Sequence, residues 1–276
     1  MKAIESVQEV FDAMQRGKEN ATAFCTNFYP SPARLETWIA NKTLKMQCSQ
    51  GVTFLLQKDR DFWHLYYCAS DTSALSEGMG KLPLLRSERV VVDVLCTREA
   101  LATLLPVMQN AGLRPYKELA RMARSAPQEA QPVQRNLGND AILIAERQDE
   151  RDVLNLIEAA FDPYAKHIPS LEEIRAAIDR CEILILRHTT DIAGLLFFET
   201  HGVTSTLRFW TVREGFRDAH LGSELMGHYL ASQTAVRRFV LWVNTDNEDA
   251  LRKYRHYHYA TDGVLDYVLA NESIPR

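Results

Sequence analysis

The sequence predicts a mixed α/β fold built as two units, and three observations carry that prediction. Apolar residues switch repeatedly between the two-residue period of strands and the 3.6-residue period of helices. A stretch of proline, glycine and small polar residues without apolar period interrupts the chain near its middle. The elements after that stretch read β α α β β β α β α β, which makes a mixed sheet of about six or more strands in which a crossover helix joins neighbouring parallel strands. At 276 residues and 46% apolar content the chain is long enough to fill two cores.

The seam runs from Ser125 to Asn139, where Pro127 and Pro132 are followed by Asn136-Leu137-Gly138-Asn139. The expected domains are residues 1–125, a linker at 126–139, and residues 140–276. Upstream, residues 5–15 place Val7, Val10, Phe11 and Met14 on one side of a helix, and a second helix is expected over 33–42. Residues 52–56 and 62–69 flank Lys58-Asp59-Arg60-Asp61, the pattern of a hairpin, with the aromatic run Phe62 to Tyr67 read as core and sheet face. After an irregular segment come a β-branched strand over 89–95 and a helix capped by Thr97, with Pro106 inside it. Gly112-Leu113 then lead into another extended piece.

Downstream, a strand over 141–146 precedes a helix carrying Val153, Leu156, Ile157 and Phe161. Ser170 and Glu173 form a capping box for the next helix, with Ile174, Ala177 and Ile178 on its apolar side. Strands follow at 183–187, 193–199 and 205–212, then a helix over 219–233, a strand over 238–243, a helix over 247–256 and a last strand over 264–270.

Two segments carry chemistry. In the first, the strand ending at Trp210-Thr211-Val212 enters a loop with Gly215 and then Arg217-Asp218-Ala219-His220-Leu221-Gly222-Ser223, where the next helix begins. The unpaired backbone N–H groups at a helix N-terminus, together with its dipole, attract negative charge. Small residues at Gly222 and Ser223 let an anion approach the backbone, and Arg217 adds a positive charge. In the second, Asn247 starts a short helix in which Ala250 and Tyr254 share a face at i and i+4, and Tyr259 follows the helix end. By themselves these features describe an anion site and a packed aromatic.

Together, in this order and about 30 residues apart, they resemble the GNAT acyltransferase superfamily. Arg217 to Gly222 is similar to its R-x-x-G-x-G/A acyl-CoA loop, and Asn247 to Tyr259 to its N-x-x-A-x-x-x-Y-x-x-x-G-F motif. Two positions depart from the pattern: His220 stands at the first loop glycine and His258 at the glycine before Tyr259. The resemblance covers residues 140–270 and implies a centrally splayed sheet whose opening between 205–212 and 238–243 receives acetyl-CoA. It further implies that backbone N–H groups of Trp210 to Val212 meet the thioester carbonyl. The donor is then held by Trp210, Thr211, Val212, Arg217, Asp218, Ala219, His220, Leu221, Gly222, Ser223, Asn247, Ala250 and Tyr254. An amine attacks directly, and Tyr254 protonates the departing thiolate, a phenol of pKa near 10 matching a thiol of about 8 to 9. The base is not fixed by the motifs: Glu199 is the first candidate, His201 the second, and water a third, while Arg208 is a cation that can orient an acidic substrate group. The order of elements in residues 1–125 echoes the second half without its motifs, which implies a tandem pair with a degenerate first repeat.

The bulk numbers narrow the partners. With a net charge of −4 and no block of like charges, nothing suggests binding to nucleic acid or to a membrane surface. No apolar run reaches the ~18 residues of a membrane span, and residues 1–16 lack a signal-peptide core, so a cytoplasmic location is expected. Five scattered cysteines argue against disulfides or a zinc site and read as buried thiols; no metal is expected. The expected partner is a small-molecule amine, amino acid or peptide substrate and, at most, a second copy of the chain. The alternative function is a catalytically silent protein of this fold that binds acyl-CoA or a protein partner.

Overall fold

The structure, a computed structural model, describes residues 1–19, 21–29, 32–126, 140–272 and 274, without the side chains of Ala33, Asp140, Arg217, Asp218 and Ala219. The expected linker, apart from Ala126, lies outside these. The chain forms two compact units, Met1–Ala120 with Gly263–Arg276, and Arg121–Asp262.

In chain order the elements up to the seam are β1 (Lys2–Ala3), α1 (Val7–Glu19), β2 (Cys25–Thr26), α2 (Pro32–Ala40), β3 (Leu44–Ser49), β4 (Val52–Asp59), β5 (Phe62–Ala69), α3 (Thr72–Gly80), α4 (Leu84–Ser87), β6 (Arg89–Cys96), α5 (Arg98–Asn110) and β7 (Arg114–Ser125). Asp71 caps α3 and Thr97 caps α5, each accepting a hydrogen bond from the N3 amide. Pro106 is accommodated inside α5. The hairpin β4–β5 forms as expected, and its alternation feeds two cores. Phe54, Leu56, Trp63, Leu65 and Tyr67 pack with α3 and α5, while Leu55 and Cys68 pack with α1 and α2. Strand β3 and helix α3 were not expected; Lys45, Gln47 and Ser49 break the apolar signal of β3, which lies beside β4.

After the seam come β8 (Asp140–Ile144), α6 (Glu150–Ala160), α7 (Leu171–Asp179), β9 (Ile183–His188), β10 (Asp191–His201), β11 (Thr204–Val212), α8 (Leu221–Ser232), β12 (Arg238–Asn244), α9 (Glu248–His256) and β13 (Ala260–Ala270). The Ser170–Glu173 capping box is present. Strands β8 to β11 pair antiparallel in sequence order, and β11 pairs parallel with β12. Val153, Ile157, Ile174, Ala177 and Phe209 form a core under α6 and α7. Ser205 and Tyr229 share a buried 2.8 Å hydrogen bond that ties β11 to α8.

The last strand departs from the expected boundary. β13 pairs antiparallel with β6, from Leu265 opposite Cys96 to Ala270 opposite Val91, so Gly263–Arg276 belong to the first unit. The physical reason is burial. Tyr267 and Leu269 alternate into the first unit's core beside Val92 and Val94. Asn271, itself buried, then accepts from Val90 N and donates to the carbonyls of Leu85 and Glu88. A second correction concerns the thiols: all five cysteines are free, but Cys48 and Cys181 are exposed and Cys68 alone is fully buried.

In each unit a parallel strand pair separates along its length. In the first, β5 and β6 pair only at Phe62–Arg89, Trp63–Val90 and His64–Val91. The chain itself fills the gap that follows. β2 pairs with the far end of β5, and buried Asn27 accepts from Tyr67 N at 2.7 Å while donating to Leu65 O at 3.1 Å and Asp93 O at 2.8 Å. One side-chain amide thus satisfies backbone groups of both separated strands. Asn27→Leu strands three buried backbone groups and is expected to cost about 3 kcal/mol, read as a lower midpoint in denaturant unfolding at unchanged slope.

Candidate active site

In the second unit the parallel pair β11–β12 runs from Thr204–Arg238 to Leu207–Leu241 and then stops. At that point the register of β10 against β11 shifts: Phe197 faces Phe209 but Phe198 faces Leu207, leaving Arg208 as the extra residue of a bulge. A bulge bends its strand and increases local twist, and here it turns the end of β11 away from β12. Among the described residues no strand pairs with the outer stretch of β11 on that side. Arg213 N donates to Ala193 O across β10. Strand alternation then points the Thr211 amide at β10 and the amides of Trp210 and Val212 into the opening.

The two faces of β11 differ. Phe209 joins the core under α6 and α7. Trp210 and Val212 face α8: a Cβ on Gly222 would lie 3.5 Å from each side chain. A larger residue at Gly222 would therefore press on the opening. The Trp210 ring lies 5.7 Å from Tyr254 and 6.0 Å from Tyr257, whose hydroxyl is hydrogen-bonded to Ser223, so the strand end, α8 and the end of α9 meet around one aromatic group.

The loop into α8 is a 3₁₀ turn over Glu214–Ala219, and the helix starts after His220, which has φ 56° and ψ 8°. This is the left-handed region that glycine occupies without strain. His220 therefore keeps the backbone turn that the missing glycine would supply, and the first helical amides remain directed at the loop. His258 does the same after α9, with φ 63°. The side chains of Arg217, Asp218 and Ala219 lie outside the described residues. Leu221 is buried against the sheet.

Asn247 caps α9 by accepting from Ala250 N at 3.0 Å, which places Ala250 and Tyr254 on the helix face toward the strands, as expected. The Tyr254 ring packs between Trp210 and Tyr259. Its hydroxyl has no hydrogen-bond partner among the described residues, and burial raises its pKa above that of a free phenol, so it is protonated throughout the neutral range. Glu199 sits on β10 near the bulge, but its Oε1 already accepts from Arg208 Nη1 at 2.5 Å. His201 lies exposed at the β10–β11 turn, four residues beyond the bulge, and is not brought to the opening.

Sequence reading missed Lys166. It lies between α6 and α7, with its ammonium 5.2 Å from the Phe161 ring centre and 5.1 Å from that of Phe209. Burial, and secondarily the Arg208 charge, lower its pKa from 10.5 to about 7. A lone lysine in a polar loop carries no pattern, and only the fold shows that two rings cover it.

Two predictions follow from these geometries. Left-handed backbone costs a non-glycine residue ~1–2 kcal/mol, and the added chain freedom of glycine returns less than about 1 kcal/mol. His258→Gly should thus raise the thermal unfolding temperature by ~1–3 °C. For Lys166 the folded pKa lies below the unfolded one, so its contribution to stability is complete above pH 10.5 and is lost as the pH falls through about 7. Lys166→Met should accordingly raise the unfolding temperature more at pH 6 than at pH 10, as scanning calorimetry would record.

No protein-family model and no curated protein matches this chain. Solved structures do. The GCN5-related N-acetyltransferase from Sphaerobacter thermophilus superposes with a TM-score of 0.59 at 16% identity, over 82% of this chain and 78% of that one. Its counterpart from Kribbella flavida gives 0.56 at 12% identity, over 87% and 95%. A tandem GNAT protein from the clavulanic acid biosynthesis pathway gives 0.54 at 10% identity, over 82% and 79%. The chain thus has the fold of the GNAT N-acetyltransferases.

Proposed function

We propose that the second unit is an acyl-CoA-dependent N-acyltransferase, moving an acetyl group from acetyl-CoA to a primary amine of a small molecule, amino acid or peptide. The observation that carries this reading is the contrast between the two strand separations. Asn27 fills the one in the first unit, whereas that of the second has backbone amides turned into it and the Tyr254 hydroxyl without a partner beside it.

Acetyl-CoA supplies an activated acyl thioester. Its extended arm suits the edge of β11 at Trp210, Thr211 and Val212, where an N–H can face the carbonyl oxygen as negative charge develops on it. Its pyrophosphate suits the turn from Arg217 to Ser223, where the first amides of α8 and the helix dipole favour an anion. The residues present fit such a ligand: His220 holds the glycine-like turn and Gly222 leaves room beside Trp210. Asn247 and Ala250 act on the site by fixing α9, and α9 sets Tyr254. Tyr254 gives its proton to the departing sulfur, with a pKa raised by burial that keeps the proton available at neutral pH. Glu199, held near the bulge by Arg208, or water takes the proton of the attacking amine. His220 and His258, the two departures from the motif glycines, both hold the left-handed backbone that glycine occupies without strain.

Thiol release from acetyl-CoA across a panel of amines tests the reading. Tyr254→Phe is expected to lower kcat about 10²-fold or more while the half-saturating acetyl-CoA concentration changes less than about threefold. Tight acetyl-CoA binding with no turnover on any amine would favour the silent protein, and absence of binding would overturn both.

A further inference from the structure

The face of β11 opposite Trp210 holds two cations on one aromatic ring. Lys166 Nζ lies 5.1 Å from the centre of Phe209, and Arg208 Cζ lies 5.8 Å from it. The arrangement is built rather than incidental. The α6–α7 loop folds back through Lys166 N donating to Asp162 O at 3.0 Å, and Phe161 packs edge-on to Phe209 at 5.0 Å, so the ammonium is covered from two sides. The bulge in turn throws Arg208 onto the same face as Phe209.

Both cations keep donors beyond the ring they share. Glu199 Oε1 accepts from Nη1 of Arg208. Nε and Nη2 of Arg208 and Nζ of Lys166 have no acceptor among the described residues. Other acids of this loop region are engaged: Asp162 Oδ1 accepts from Tyr164 N, and Glu173 pairs with His167 and caps Ser170 N. A desolvated ammonium beside a guanidinium has two ways to relieve its cost, losing its proton or gaining an anion. The lowered pKa of Lys166 shows the first in the chain alone. The second needs a ligand.

We propose that Lys166 and Arg208 form an anion subsite for a carboxylate of the acceptor, so that the amine acylated by this protein is one that carries a carboxylate, as an amino acid does. The inference rests on the proposed N-acyltransferase reading: with the donor at the β11 edge and the turn into α8, the opposite face of β11, where Phe209 lies, is left for the acceptor. The planar Nε–Nη2 edge of Arg208 matches a carboxylate with two parallel hydrogen bonds, and Lys166 adds a point charge across the same ring.

The test compares acceptors in matched pairs with the full chain: an α-amino acid against its carboxamide and against the decarboxylated amine of the same side chain. The wild-type chain should prefer the carboxylate member by tenfold or more in kcat/KM. Lys166→Met should raise KM for that member about tenfold, leave kcat and the KM for acetyl-CoA within threefold, and erase the preference; Lys166→Arg should keep most of it. Equal use of both members, or a Lys166→Met effect that is the same on both, overturns the subsite. Binding separates this outcome from failure of the functional reading. If no amine is acylated, calorimetric titration with N-acetyl amino acids and their amides still decides it. Carboxylate-selective binding lost in Lys166→Met supports the subsite, and no selectivity overturns it.

Discussion

Everything proposed for the second unit depends on where one backbone ladder stops. β11 and β12 are held together by four parallel residue pairs and then part. The point of parting is set by the bulge at Arg208, one residue more on β11 than β10 can match. Parallel strands in a continuous sheet satisfy each other's amides and carbonyls; strands that diverge leave them to be met by something else. That unmet edge is the chemical resource of the site, and the helices arrange a charged end, a glycine and a phenol around it.

The first unit shows what happens when the same resource is used internally. β5 and β6 also part after a few pairs, but β2 and Asn27 answer the exposed groups with protein atoms. An amide side chain that donates to both strands and accepts from one is a permanent occupant. Two strand separations of similar form thus differ in what meets them, and the difference lies in the three residues Cys25 to Asn27. The αL histidines make a related point. His220 and His258 break the glycine pattern in sequence, yet both hold the left-handed conformation for which glycine is otherwise used. What the turn requires is the φ angle, and a histidine meets it at the expense of strain.

The face of β11 opposite Trp210 brings charge into a partly dry place. Arg208 serves twice: as the extra residue of the bulge it opens the sheet, and as a cation it takes Glu199 and leaves two donors directed elsewhere. That pairing fixes the Glu199 carboxylate beside the bulge. Lys166, brought over Phe209 by a loop, sets a second cation on the ring that Arg208 also meets.

Much of this was legible in the sequence because it is local. The capping box at Ser170, the cap at Asn247, the i and i+4 relation of Ala250 and Tyr254, the strand and helix order after the seam and the turn into α8 all depend on residues within a few positions of one another, and periodicity and capping chemistry report them directly. What only the tertiary structure decided was long-range. The pairing of β13 with β6 joins residues some 170 positions apart in the chain and moves the last strand into the first unit. Asn27 meets Asp93, and Lys166 meets Phe209, only after the sheets have formed. A strand states its faces but not its neighbour, and a polar side chain states its donors but not which buried backbone groups will lack partners; both are settled by which burial leaves the fewest of them unsatisfied.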